Sequence, residues 1–285
     1  MRTFLLLTIL LSCLAGTQRI TSDGQNIPAS QKTLLAPEGW ATYTKPTAEE
    51  LQCANYSQRE WRVSLAGDRL ETRLDTLRDH QDPLPAQIHS RDVAVGTKGY
   101  RHVISVDDGW LVGMDIGEFG GGLWWFSADG LRSRKLSNEN IVGFAATAKG
   151  TLIFVGLAHL ALDEGKVLRI SDGTNAERQL EPLVNLGSAP VAFAVEAPDS
   201  VIVLTTTGLV RVRTSGPIEH LLKTRYGQLY PTSLTLSSSG VIYVGMRQFI
   251  TRLTPAGNTY SEEWFVPADC PKFTIREIDC VCARR

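Results

Sequence analysis

The chain has 285 residues, of which 43% are apolar and 21% charged, a balance that excludes a disordered or fibrous protein. Its 29 basic and 30 acidic residues leave a net charge of -1, so nothing electrostatic favours nucleic acid or an anionic membrane surface as the main partner. Beyond the first 16 residues no apolar run approaches the roughly 20 needed to span a bilayer.

Met1-Arg2-Thr3 is a short, positively charged start. Phe4 to Leu11 is apolar apart from Thr8, and Ser12, Ala15 and Gly16 are small. Residues 1–16 therefore read as a secretory signal, too short for a membrane anchor. Leu10-Leu11-Ser12-Cys13 also resembles a bacterial lipobox. That resemblance implies lipidation of Cys13 and, with Leu14 in place of an aspartate, an outer-membrane lipoprotein on the periplasmic side. Simple cleavage after Ala15 is the alternative. Residues 17–33 are polar, contain Gly24 and Pro28, and read as a flexible tether to a single domain over 34–285.

The five cysteines are Cys13, Cys53, Cys270, Cys280 and Cys282. Removal or modification of Cys13 leaves an even four, which suits disulfide pairing in an oxidising compartment. A bridge from Cys53 to the late cluster would close a loop of more than two hundred residues, contributing about 5 kcal/mol in the chain-entropy model. The spacing leaves the connectivity open. It does not suit zinc, because Cys280-x-Cys282 lacks the usual spacer and no histidine is near.

Thr47 to Ala54 has room for one or two helical turns. From there a strand-turn-glycine pattern recurs. Its copies are Trp61–Gly67, Leu123–Gly130, Val167–Gly173, Leu209–Gly216 and Ile250–Gly257, with closing glycines 63, 43, 43 and 41 residues apart. A near-constant step in the forties with about four strands per step is the mark of propeller blades. Full sets fall at 101–136, 141–181, 191–222 and 231–266. Their runs are apolar throughout, as strands packed on both faces must be. The Trp61 copy has no inner strands ahead of it. Phe273–Ile278 starts 16 residues after Gly257, the same offset at which Thr232 follows Gly216. The expectation is therefore an all-β propeller of five four-stranded blades, its ring closed by N- and C-terminal strands sharing one blade. That seam would also hold Cys53, Cys280 and Cys282. Asp75 to Tyr100 reads as a long crossing loop rather than a sixth blade.

Leu123-Trp-Trp-Phe-Ser-Ala-Asp-Gly130 resembles the outer-strand motif of bacterial exported β-propellers, especially the regulator-type and NHL-like repeat families. The resemblance covers residues 61–282 and identifies an architecture more than a family. The Gly-His and Trp-Asp marks of WD40 repeats are missing.

Candidate binding residues lie in two connections and one turn. The Gly-rich stretch Asp115 to Gly122 carries Asp115, Glu118 and Phe119, and Leu157 to Gly165 reads as a second long loop with His159 and Asp163. If His159 faced Asp163 it could act as a general base. Asp107 and Asp108 follow an inner strand, where channel-rim acids would stand. Each group has a plainer reading, as glycine-tolerant hairpin or solvated loop. Some five-bladed propellers are glycoside hydrolases, so Asp107, Asp115, Glu196 and Asp199 are the carboxylates to watch for convergence. The inner strands are bare of acids, Ser171–Thr174 reads as a turn, and no nucleophile elbow, zinc motif or phosphate-binding loop occurs. No cofactor is implied. The leading expectation is a monomeric, non-enzymatic binding module for a protein or envelope component, such as an assembly factor or a toxin neutralised as by an immunity protein. The alternative is a sugar-active hydrolase or lyase with carboxylates at the channel mouth.

Overall fold

The computed structural model describes residues 35–76, 80–89, 99–170 and 179–270. The chain divides after Leu35, and every described strand and helix belongs to the unit that begins at Ala36. Strand β1 (Trp40–Tyr43) is followed by helix α1 (Ala48–Ala54) and the hairpin of β2 (Trp61–Ala66) and β3 (Arg69–Leu74). The helix forms where the sequence allows it, because Thr47 and Glu50 make a capping box. The Thr47 hydroxyl accepts the Glu50 N–H at 3.2 Å, and the Glu50 carboxylate accepts the Thr47 N–H at 2.8 Å.

Four meandering antiparallel sheets come next. The first is β4 (Tyr100–Val106), β5 (Gly109–Asp115), β6 (Gly121–Ser127) and β7 (Ser133–Ser137). The second is β8 (Ile141–Thr147), β9 (Gly150–His159), β10 (Leu162–Ile170) and β11 (Leu180–Asn185). The third is β12 (Pro190–Ala197), β13 (Ser200–Thr205), β14 (Gly208–Arg213) and β15 (Glu219–Lys223). The fourth is β16 (Ser233–Leu236), β17 (Ile242–Gly245), β18 (Ile250–Ala256) and β19 (Thr259–Pro267). They coincide with the four full repeat sets. The leading strands touch in turn, β4 to β8, β8 to β12 and β12 to β16, as the inner strands of propeller blades do.

Strand parity explains the apolar runs. In β13 every residue is buried. Val201 and Val203 pack with Leu152, Phe154 and Val167 of the second blade, while Ile202 and Leu204 pack with Ile242, Val244 and Leu253 of the fourth. Leu111, Leu123 and Trp125 of the first blade meet Ile141, Ile153 and Leu168 of the second. Trp124 points the other way, toward Ile88 and Met114, as the period of two requires.

The N-terminal segment differs from expectation. β1 joins the fourth blade as a fifth strand outside β19, in register from Trp40↔Pro267 to Tyr43↔Trp264. β2 lies beside β16 and β17, in the inner position rather than the third position suggested by the repeat. The Trp61 N–H donates to Met246 O at 3.1 Å, the Val63 N–H to Ser233 Oγ at 2.8 Å, and Thr232 Oγ1 to Trp61 O at 2.7 Å. A strand, a tight turn and a glycine mark any hairpin, so the motif does not distinguish a first strand from a third. The leader, the tether, Cys13, Ser171–Thr174, Phe273–Ile278, Cys280 and Cys282 lie outside the described residues.

Leu157 to Gly165 is also not a long loop. β9 runs on to His159 and β10 starts at Leu162, leaving a two-residue turn of Leu160 and Ala161. Leu160 takes the left-handed conformation (φ 53°) that such a turn needs, without the glycine that usually signals it.

Candidate functional site

Because the strands run alternately up and down, connections open on two faces. The turns after β4, β8, β12 and β16 lie on one, here the turn face. The connections from β5 to β6, β9 to β10, β13 to β14 and β17 to β18, with the links between sheets, lie on the other, the loop face.

The sequence candidates divide between the two. Asp107 and Asp108 sit in the β4–β5 turn on the turn face. Asp107 is exposed, and Asp108 accepts the Trp125 Nε1–H at 3.0 Å. Asp115, Glu118, Phe119, His159 and Asp163 are on the loop face. β5 has seven residues, so Asp107 and Asp115 stand at opposite ends of a strand about 20 Å long. Glu196 is held by Arg211, at 2.6 and 2.7 Å, and by Ser200 at 2.9 Å. Burial would raise its pKa, but these hydrogen bonds and the Arg211 charge hold it below the usual value. Asp199 is an exposed turn residue. Asp107, Glu196 and Asp199 thus stand on the turn face and Asp115 on the loop face, so the four do not converge.

His159 does not face Asp163. Its Nε2 pairs with Glu118 Oε2 at 2.9 Å, linking the loops of two adjacent blades through a half-exposed contact. Asp163 stands opposite Ala158 in the ladder, on the other side of the pleat from His159. Its carboxylate accepts the Ala189 N–H at 2.7 Å and the Thr206 hydroxyl at 2.6 Å. Asp115 accepts the Gly117 N–H at 2.8 Å, and burial raises its pKa against that bond.

A second group on the same face has no signal in the sequence, because its members come from distant segments. The buried Asp75 carboxylate pairs with His80 Nε2 at 2.7 Å and Arg62 Nη1 at 3.1 Å. The His80 ring stacks on Tyr100, with centroids 4.2 Å apart. Tyr100 stands opposite Asp115. Burial raises its hydroxyl pKa first, then the charges of Glu60, Asp115 and Asp75, with Arg247 opposing. The hydroxyl is therefore a neutral donor at physiological pH. In the β17–β18 connection, Arg247 Nε pairs with Glu60 Oε1 at 2.7 Å. The Arg247 guanidinium also donates to Asn55 O and lies 3.7 Å over the Tyr230 ring. Among the described residues no group of three His, Cys, Asp or Glu is placed to hold a metal ion.

Exposed apolar side chains mark the same face. Phe119 is 81% exposed and Leu160 95%, and Tyr56 and Tyr230 are also exposed. Among the described residues the three non-glycine residues with positive φ, Leu160, Tyr230 and Gln248, all lie in its connections. Each carries strain of about 1–3 kcal/mol, which persists where the surroundings dictate it and concentrates at functional sites.

No family model matches the chain, and no curated protein does. Among solved structures it is similar to virginiamycin B lyase from Staphylococcus aureus with quinupristin (16% identity, TM-score 0.40, 57% of this chain and 55% of that one). It is also similar to PorZ, a surface component of the type-IX secretion system of Porphyromonas gingivalis (11%, TM-score 0.40, 67% and 29%). A third is the β-propeller domain of Cps50 (Swd1) from Myceliophteria thermophila (10%, TM-score 0.35, 72% and 63%). The chain thus spans about half of the lyase and less than a third of PorZ. At these identities the likeness is one of fold, and at these scores it adds no argument to the sheet topology itself.

Proposed function

We propose that the protein is an exported, lipid-anchored β-propeller that binds a protein partner of the cell envelope through its loop face and catalyses no reaction. One observation carries this reading. Exposed Phe119, Leu160, Tyr56 and Tyr230 gather on that face with the non-glycine left-handed residues Leu160, Tyr230 and Gln248. Rigid apolar side chains around a polar centre are the usual make-up of a protein interface. Leu131, 85% exposed in the β6–β7 turn, supplies a control on the opposite face. The test is affinity capture from the native envelope with Phe119→Asp/Leu160→Asp and with Leu131→Asp. The first variant is expected to lose the partners that the second keeps. Identical capture by both would refute the assignment of the face. An envelope assembly factor and a toxin neutralised as by an immunity protein are both compatible partners.

The same proposal includes a fifth blade that begins with β2 and β3 and is completed by strands from the C-terminus. Its support is the packing of β2 beside β16, with the Arg62 charge acting on His102 of β4. It also includes a disulfide from Cys53 to one of the late cysteines, supported by the even four cysteines left once Cys13 is processed. Non-reducing peptide mapping that found a free thiol at Cys53 would defeat this part. The lipid anchor rests on the sequence around Cys13, and Cys13→Ala is expected to abolish membrane association. A variant that still partitions into the membrane contradicts it.

A further inference from the structure

A second site lies in a cleft of about 330 Å³ where α1 meets the outer parts of the third and fourth blades. That volume holds about eleven waters and sits at the lower end of the range for small-molecule sites. Pro46, Ala48 and Leu51 form one apolar wall and Trp264 another. Lys45, Lys223 and Arg225 line the polar side, with Glu262 as the one carboxylate among the described lining residues. Glu262 is already engaged, by Lys45 at 2.7 Å and by the Tyr226 hydroxyl. Lys223 and Arg225 have no carboxylate partner among the described residues, so the lining carries two uncompensated positive charges.

Two further side chains of the lining are left without partners. Trp264 is 4% exposed, and its Nε1–H has no acceptor. The buried Thr224 Oγ1 has no partner either. Both atoms are covered by protein, so a group in the cleft does not reach them directly. The free cations of Lys223 and Arg225, set beside the apolar wall, match an anion that carries an apolar body.

We infer that this cleft binds a small amphipathic anion, its carboxylate or phosphate taken by Lys223 and Arg225, and its apolar body lying against Pro46, Leu51 and the Trp264 ring. The inference is independent of the loop-face reading, and neither fails with the other. The test is a titration of the ¹⁵N-labelled full chain, following the Trp264 indole N–H resonance assigned by through-bond correlation. Phenylacetate, phenyl phosphate and the neutral benzyl alcohol are the probes. A saturable shift with either anion and none with benzyl alcohol is expected, and the anion that binds tighter identifies the headgroup. Lys223→Gln/Arg225→Gln changes two exposed side chains and is expected to weaken binding at least tenfold with the fold intact. No saturable shift with either anion, an equal response to benzyl alcohol, or unchanged affinity in the double variant overturns the inference.

Discussion

Replacing Gly245 by alanine tests how the N-terminal hairpin is joined to the fourth blade. A Cβ at this position would stand 2.2 Å from Trp61 O, 2.8 Å from Ser233 Oγ and 3.0 Å from Trp61 C. Ordinary contacts begin near 3.5 Å, so β2 would have to retreat by about 1 Å. The nearest obstacle is backbone and cannot rotate away. That retreat strains three bonds: Trp61 N–H to Met246 O, Val63 N–H to Ser233 Oγ, and Thr232 Oγ1 to Trp61 O. Overpacking costs about 1–3 kcal/mol and each of the three weakened bonds about 0.5–1 more, giving a loss of about 2.5–6 kcal/mol. Gly257→Ala is the control. Its Cβ meets nothing within 4 Å, and its φ of 64° adds only backbone strain; the expected cost there is about 1–2 kcal/mol. Urea unfolding of both variants measures the difference. If Gly245→Ala is no less stable than Gly257→Ala, the close approach of β2 to β17 is wrong.

Two other perturbations are informative. The pKa of His102 falls from 6.5 to about 4, chiefly through burial, with Asp82 opposing and His80 and Arg62 adding to the drop. The unfolded chain then takes up this proton before the folded one does. Stability from this group is complete above pH 6.5 and is lost as pH falls through about 4, by up to about 3 kcal/mol. His102→Gln is expected to flatten that part of the pH–stability curve, and an unchanged slope contradicts the burial of a neutral imidazole. Arg247→Ala removes the Glu60 pair, the bond to Asn55 O and the contact over Tyr230 together. The expected loss is about 2–3 kcal/mol, and Arg247→Lys recovers only part of it because the planar fork is gone. A thermal shift within error for Arg247→Ala would show that the loop is held by other contacts.

Much of the blade architecture is legible in the sequence because it has a local cause. Val201 to Leu204 must face two neighbours, so the strand is apolar throughout, and the glycine-ended turns set the step between blades. The short helix is legible for the same reason, since Thr47 and Glu50 are three residues apart. The features that escape a sequence reading depend on long-range juxtaposition. The seat of β2 beside β16 is fixed by the absence of a side chain at Gly245, about 180 residues later in the chain, and no local pattern reports that. The hairpin tip at Leu160 reads as a loop because the left-handed residue is not glycine. Nearness in sequence matches His159 with Asp163, whereas the pleat turns the two apart and Glu118 reaches in from the next blade. The group of Asp75, His80, Tyr100 and Arg247 has no sequence signal, because three separate segments supply it.

Site-specific photocrosslinking in the native host addresses the binding face most directly. A photoreactive phenylalanine analogue is placed at Phe119 in one strain and at Leu131 in another. The account expects a discrete protein adduct from position 119 and none from position 131. An adduct from position 131 alone, or none from either position, would contradict it.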